Sequence, residues 1–262
     1  MGCVTTNNLV HPRYNAFAAA RSLGFGKLPV VFVDGHCQSP MDDGWDAMFA
    51  KVQYIKHLDP GTCFKHMIII PTGYQAAIST GITPTQNCPA TPRVREFGDV
   101  FLRSFGIEPL PSCTAEGKHQ LTMVMRENYK AHPRHNGRID TRLRNEKDVL
   151  RELQKFAASS DLGALRFVRS CLLLCFVVSL TSPRLSPLFL FFFVFVSVSN
   201  VVEGRFAHMP LKAQLQAVSR SCALVGVHGA GMTHVLFMPT DARVLEIRTP
   251  GFQRPHFSAC VG

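Results

Sequence analysis

Acidic residues are scarce in this chain, because 18 Asp and Glu residues stand against 28 Lys and Arg residues and the formal net charge is +10. The basic residues are dispersed, without the continuous stripe and interleaved aromatic residues of a nucleic-acid-binding surface. We therefore expect no nucleic-acid partner, and the excess positive charge favours an anionic small molecule. With 46% hydrophobic residues, the chain can bury a core in one large domain or two small ones.

Apolar runs long enough to cross a membrane are also lacking. Segments 171–180 and 188–199 are intensely apolar, but each is shorter than the roughly 18–20 residues that span a bilayer. Phe, Leu, Ser and Pro, which are frequent in the region that contains both segments, are encoded largely by pyrimidine-rich codons. We therefore interpret residues 168–200 as an apolar insertion that a retained intron would explain, a hypothesis that sequencing the transcript tests.

Paired metal ligands are missing from the cysteine pattern. The nine cysteines include no Cys-x-x-Cys pair, and Cys63 and His66 form a lone Cys-x-x-His without a second half. No zinc site is therefore predicted. Because no Asp-x-Asp motif stands out either, no other metal site is predicted. Cys63, Cys88 and Cys113 could form disulfides in a secretory protein or remain free thiols, because connectivity cannot be read from sequence.

The N-terminus lacks the basic and apolar regions of a secretory signal peptide. It begins Met1-Gly-Cys3, which fits the myristoylation pattern with a neighbouring cysteine for palmitoylation. A lipidated, membrane-associated protein is therefore one alternative interpretation of the chain.

Residues 223–239 form the most informative segment, with an apolar strand, a glycine-rich turn holding His228 and the start of a helix. Such a turn leads to a helix N-terminus, where free N–H groups and the macrodipole favour phosphate. Gly226, Gly229 and Gly231 lack the dinucleotide-binding spacing, and the chain has neither a Walker Gly-Lys-Ser/Thr nor a hydrolase Gly-x-Ser-x-Gly elbow. The pattern favours a diphosphate-bearing ligand, and the simpler alternative is a tight turn whose glycines serve packing.

The rest of the chain alternates strands with helices, which predicts an α/β fold with parallel sheets. Besides the strand of the glycine-rich segment, the predicted strands are 28–33, 52–55, 67–70, 120–125, 164–168 and 243–247, and the predicted helices are 45–49, 93–105, 145–156 and 211–221. A linker at 109–117 is the candidate domain boundary. Arg126 and His228 follow predicted strands, at the carboxyl ends where ligands bind in such folds.

With these residues placed, the chain resembles the glycosyltransferase 61 family, and within it the EGF-domain-specific O-linked N-acetylglucosamine transferases. Residues 225–239, beginning Val-Gly-Val-His-Gly-Ala-Gly-Met-Thr-His, are similar to the family's C-terminal signature. Residues 8–11 resemble its early motif, which often continues to an aspartate where this chain has Asn15. Residues 125–145 resemble its arginine-rich donor region.

The resemblance implies a GT-B-like architecture of two Rossmann-like halves with parallel sheets, incomplete at both ends in this chain. Residues 1–110 would form the acceptor-side half. Residues 111–262 would form the nucleotide-sugar-binding half, interrupted by the insertion at 168–200.

The implied activity is inverting transfer of N-acetylglucosamine or a pentose from a UDP-sugar to a hydroxyl group of a secretory glycoprotein or polysaccharide, with no further cofactor. The implied location is the endoplasmic reticulum or Golgi lumen, with membrane association through an N-terminal anchor absent from this chain. An inactive, truncated relic that binds nucleotide or glycan is the second alternative.

A leaving diphosphate needs preorganised positive partners, because its negative charge grows as the glycosidic bond breaks. We expect the guanidinium of Arg126 to bind the phosphates bidentately. Backbone amides of the turn would contribute as well, and those predicted are Gly229, Ala230, Gly231 and Thr233.

Five further residues complete the predicted site. His228 would donate to a phosphate or orient the loop, unless it is a structural turn residue. Glu246 would hold the ribose hydroxyls, unless it is an ordinary surface carboxylate. Asn145 would cap the helix of the donor region and is also predicted to bind the nucleotide-sugar. His11 and Asp34 are candidates for the base that inversion requires.

Overall fold

The computed structural model describes residues 6–33, 41–70, 92–113, 119–126, 143–158 and 198–248. Its α-helices are α1 (Thr6–Ser22), α2 (Asp43–Met48), α3 (Pro92–Ser104), α4 (Glu146–Ala158) and α5 (Leu211–Ser219). Its strands are β1 (Val30–Phe32), β2 (Val52–Tyr54), β3 (His119–Val124), β4 (Val198–Gly204), β5 (Ser221–Val227) and β6 (Arg243–Ile247). Short 3₁₀ helices cover Ile55–His57, Phe206–His208 and Ala230–Phe237.

The main sheet is parallel throughout, with the strand order β4-β3-β5-β6. Strand β5 is buried along its whole length, as expected for a parallel strand that is covered on both faces. The predicted strands at 120–125 and 243–247, and the one that opens the glycine-rich segment, are confirmed. The α/β fold class with parallel sheets is therefore confirmed for this part of the chain.

Successive side chains of a strand point to opposite sides of the sheet. Both faces of the main sheet carry apolar side chains, and helices cover both. On one face, Leu121, Met123 and Val225 pack against Val149 and Leu150 of α4 in one apolar cluster. The opposite face carries a larger cluster, which takes in residues of α1, α3, α5 and the 3₁₀ helix Ala230–Phe237. The predicted helices 93–105, 145–156 and 211–221 are confirmed within one or two residues at most ends.

The order of the strands creates a switch point. Strand β4 lies on one side of β3, and the chain then returns to place β5 on the other side of β3. Ligands of open α/β sheets bind outside the carboxyl ends of strands at such a reversal. A ligand site is therefore expected at the carboxyl ends of β3 and β5.

Strand β4 was not predicted, and it changes one boundary. It pairs with β3 from His119↔Val198 to Val124↔Gly204. The segment set apart as an insertion, residues 168–200, therefore overlaps the sheet at its last three positions, 198–200. The predicted strand at 164–168 and the rest of that segment lie outside the described residues.

A separate two-stranded parallel sheet joins β1 and β2, with Val30 opposite Val52 and Phe32 opposite Tyr54. The strands predicted at 28–33 and 52–55 and the helix at 45–49 are confirmed, with shorter or shifted bounds. The strand predicted at 67–70 is wrong, because these residues form no strand and Ile69 is 80% exposed. An apolar run of four residues becomes a strand only where a neighbouring backbone pairs with it.

Helix α1 was also missed, because it contains Pro12 and proline normally interrupts a helix interior. Its Tyr14 and Phe17 pack against Phe97 of α3, with ring centroids 5.6 Å apart in both pairs. Phe101 of α3 in turn stacks on Phe237, at a centroid distance of 5.0 Å. Residues on both sides of the predicted boundary at 110–111 thus share one core, and the two-domain division stays a prediction.

Gly98 permits the closest approach within this core. A Cβ atom added at Gly98 would overlap the backbone carbonyl oxygen of Leu236. Backbone cannot move aside as a flexible side chain can, so α3 needs a glycine where it crosses the 3₁₀ helix.

We therefore expect Gly98→Ala to lower the free energy of unfolding by about 2 kcal/mol, because overpacking outweighs the gain in helix propensity. Urea denaturation followed by circular dichroism measures the change. Gly26→Ala is the matched control, since a Cβ at Gly26 meets nothing within 4 Å. Equal stability of the two variants would contradict the proposed contact.

A disulfide joins Cys113 to Cys222, the second residue of β5, across a sequence separation of 109. The same loop is held by Asp241, which accepts hydrogen bonds from the Ser112 hydroxyl and the Cys113 amide, both at 2.7 Å. Of the cysteines predicted as disulfide candidates, Cys113 is confirmed, Cys63 is an exposed free thiol and Cys88 lies outside the described residues.

Closing so long a loop constrains the unfolded chain, with an expected stabilisation of about 4–5 kcal/mol. We expect Cys113→Ser to lower the midpoint of urea unfolding strongly and to remove its sensitivity to dithiothreitol. Cys63→Ser should leave both properties unchanged. A wild-type midpoint that dithiothreitol does not shift would show that the bond contributes little.

Candidate functional site

The candidate site lies where β3 and β5 end side by side. Val124 pairs with Gly226 at these ends, so Arg126 and His228 each stand two residues beyond the paired positions. The Nη1 atom of Arg126 donates a hydrogen bond to the backbone carbonyl oxygen of His228, at 2.9 Å. The structure thus brings together the two residues that the sequence placed at carboxyl ends of strands.

Arg126 is also fixed from behind by α4. Its backbone amide donates to Oε1 of Glu146, the first residue of that helix, at 2.8 Å. The carbonyl oxygen of Asn145 accepts bonds from the amides of Asp148 and Val149, so Asn145 lies directly before the helix, at the predicted cap position. Its role in nucleotide-sugar binding stays a prediction. Glu146 was not predicted as a site residue. The signal that could have indicated it is an acidic residue in the first turn of a predicted helix.

The glycines of the turn serve two different purposes. A Cβ at Gly226 would lie 2.9 Å from a Val124 side-chain carbon, and one at Gly231 would lie 2.7 Å from another. These two glycines allow the turn to pack on β3, as the simpler interpretation of the motif expected. A Cβ at Gly229 would instead lie 2.7 Å from Nη1 of Arg126, and Gly229 has a φ of +156°. Gly229 therefore leaves room for the guanidinium group.

The helix that follows is a 3₁₀ helix, Ala230–Phe237. Its first amides, those of Ala230 and Gly231, have no acceptor within the helix because the ladder begins later. The Met232 amide donates to the Gly229 carbonyl oxygen at 2.9 Å, which closes the first turn. Thr233 lies farther inside and is 5% exposed, so it belongs to the packed part of the helix rather than to the turn.

The side chain of His228 points to β6. Its Nδ1 atom is hydrogen-bonded to Oε1 of Glu246, and Oε2 of Glu246 accepts from Nε and Nη2 of Arg248 at 2.8 and 2.6 Å. The Glu246 side chain is only 8% exposed, so it is not an ordinary surface carboxylate. Burial alone would raise the pKa of Glu246, but the bonds from His228 and Arg248 lower it below its usual value. Arg248 was missed by the sequence reasoning.

A second histidine supports the 3₁₀ helix from within the core. The two ring nitrogens of His234 lie 2.9 Å from the Gly231 carbonyl oxygen and from Oε1 of Gln214. The amide of Gln214 donates to the carbonyl oxygens of Phe206 and Met209. Burial lowers the pKa of His234 to about 4, although the bond to Gly231 acts in the opposite direction. His234 is therefore a structural residue that supports the 3₁₀ helix from the core.

Arg13 of α1 approaches the other side of the same helix. It is 1% exposed, its guanidinium lies 5.0 Å from the centre of the Trp45 ring, and it lines a small cavity with Thr233 and His234. Burial lowers the pKa of Arg13 to about 9, against the opposing effect of Asp42 and Asp43. The N-terminal helix is thus anchored directly behind the candidate site.

Neither predicted base can be assigned to the site. His11 lies within α1, but its side chain is outside the described part of the chain, as is the whole of Asp34. Among the described residues, no group of three His, Cys, Asp or Glu side chains is placed to hold a metal ion. No helix in the same residues is long and apolar enough to cross a bilayer.

Comparisons with known proteins identify relatives of this chain. The family model described as Glycosyltransferase 61 matches residues 195–245, which contain β4, α5, β5 and the glycine-rich turn. Beta-1,2-xylosyltransferase RCN11 of Oryza sativa subsp. japonica is 33% identical over 263 residues, covering 94% of this chain and 43% of that protein. Beta-1,2-xylosyltransferase of Arabidopsis thaliana is 30% identical over 269 residues, covering 93% of this chain and 45% of that protein.

The fold and the site are those of an α/β protein with a glycine-rich turn at a strand switch point. The chain belongs to the glycosyltransferase 61 family. It spans less than half the length of the curated relatives it matches.

Proposed function

We propose that this chain carries the nucleotide-sugar-binding part of an inverting glycosyltransferase, which moves a pentose from a UDP-sugar to a hydroxyl group of a glycan or glycoprotein. One observation carries the proposal: the Arg126 guanidinium converges with the start of the 3₁₀ helix at the ends of β3 and β5. Amides at a helix start and an arginine are the groups that bind diphosphate most readily.

The chemistry follows from this placement. The acceptor oxygen attacks the anomeric carbon, the bond from that carbon to the β-phosphate oxygen breaks, and UDP leaves with the bonding electrons. Arg126 and the amides of Ala230 and Gly231 stabilise the charge that grows on the diphosphate. A base on the acceptor side takes the hydroxyl proton, and His11 and Asp34 remain the candidates.

Xylose is the favoured sugar. Both relatives are named as β-1,2-xylosyltransferases, and a β linkage made from an α-linked UDP-sugar requires inversion at the anomeric carbon. We therefore propose xylose ahead of N-acetylglucosamine, the alternative that the resemblance to EGF-domain-specific transferases suggested.

The proposed location is the lumen of the endoplasmic reticulum or Golgi. The disulfide between Cys113 and Cys222 supports it, because structural disulfides persist in oxidising compartments and are rare in the cytosol. Membrane association through an additional N-terminal anchor belongs to the same proposal.

Donor binding is tested by titrating UDP into the purified chain in a calorimeter. We expect Arg126→Ala to weaken binding about 10- to 100-fold, the usual range for losing a hydrogen bond to a charged group. Gly229→Ala should weaken it comparably, because the new Cβ displaces the guanidinium. Arg151→Ala, which removes an arginine that is 61% exposed, is the control. Unchanged affinity in folded Arg126 and Gly229 variants would refute the site.

Donor choice is tested by measuring UDP release from UDP-xylose, UDP-arabinose and UDP-N-acetylglucosamine, with and without a mixture of glycan acceptors. We expect the fastest acceptor-dependent release from UDP-xylose, and a β configuration in the product by NMR. Faster release from UDP-N-acetylglucosamine would reverse the choice of sugar. UDP binding without turnover of any donor would favour a nucleotide-binding relic.

A further inference from the structure

Both carboxylate oxygens of Glu246 are already engaged by protein groups. Oε1 is bonded to Nδ1 of His228, and Oε2 accepts two bonds from the guanidinium of Arg248. The side chain is 8% exposed, against 20% for His228 and 33% for Arg248. A ribose hydroxyl would have to share an oxygen that a protein group already uses, on a side chain that is almost fully buried.

The same contacts fix the orientation of the His228 ring. The His228 amide donates to the Ile247 carbonyl oxygen at 2.9 Å, so the backbone beside the ring is tied to β6. The bond from Nδ1 to Glu246 then limits the rotation of the ring and leaves Nε2 on an edge of the ring that Glu246 does not occupy. A carboxylate that orients an imidazole and favours its protonated Nδ1 is a common arrangement around functional histidines.

We propose that Glu246 is a positioning residue, held by Arg248, which orients His228 so that the Nε2 edge of the ring meets the diphosphate of the donor. This inference rests on the proposed function and deepens it, because it assigns His228 to the diphosphate and removes Glu246 from the ribose. Glu246 therefore acts on the ligand only through His228.

The chain offers a matched control at the end of β4. Glu203 and Arg205 form an ion pair with the same spacing of two residues, and Nε of Arg205 donates to Oε2 of Glu203 at 2.8 Å. No histidine bond to Glu203 is found among the described residues. Glu203→Ala thus removes an equivalent ion pair and leaves the contact between Glu246 and His228 intact.

The test compares three ligands in calorimetric titrations: UDP, 2′,3′-dideoxy-UDP and inorganic pyrophosphate. We expect Glu246→Ala to weaken all three by a similar factor of about ten, since one hydrogen bond to a charged group is compromised in each complex. Glu203→Ala should change none of them. Weakening confined to UDP would place Glu246 on the ribose and overturn the inference.

A double variant tests whether Glu246 acts through His228. Once His228→Ala has removed the ring, adding Glu246→Ala should cause little further loss of UDP affinity, because coupled residues are not additive. Full additivity would overturn the proposal. Arg248→Gln, at a more exposed position, provides a milder second disruption in case Glu246→Ala does not fold, and it should weaken UDP and pyrophosphate equally.

Failure of the proposed function can be distinguished from failure of this inference. A folded wild-type chain that binds neither UDP nor pyrophosphate would refute the diphosphate site. The ¹⁵N chemical shifts of the His228 ring, compared between the ligand-free wild type and Glu246→Gln, test the contact between Glu246 and His228 independently of any ligand. We expect the Nδ1 resonance to shift, and an unchanged resonance would show that Glu246 does not position the ring.

Discussion

The hydrogen bond from Arg126 to the carbonyl oxygen of His228 is the interaction on which the site depends. It joins the ends of two neighbouring parallel strands, so the turn after β5 is held by the residue after β3. The bond also explains Gly229, because any Cβ there would occupy the space of the guanidinium. Turn, arginine and strand order therefore form a single arrangement rather than three separate features.

Support for this arrangement comes from residues that lie behind the turn. Glu146 holds the backbone of Arg126, and His234 holds the carbonyl of Gly231 from the core. Such buried, satisfied polar contacts rigidify what they connect. A rigid turn lowers the reorganisation needed when charge develops on a leaving group, which is the condition for electrostatic catalysis.

Local patterns predicted much of the fold. The continuous apolar run predicted β5 and the helical spacing predicted α3, and the strand ends at Arg126 and His228 followed from the predicted strands. Contacts between distant segments could not be predicted from such patterns. Cys113 meets Cys222, and Arg126 meets Glu146, only because the sheet brings them together. Strand β4 was not predicted, because it borders a segment that was set apart for its apolar composition. Ile69 shows the opposite error, because it is apolar but exposed.

Val124 sets the height of the turn above the sheet. Its side chain would overlap a Cβ at Gly226 and also one at Gly231, so one valine constrains two glycines on the next strand and its turn. A larger residue at 124 would lift the turn, and a smaller one would leave a void beneath it. Evolutionary drift at these three positions should consequently be correlated, although none of them is proposed to contact the donor through its side chain.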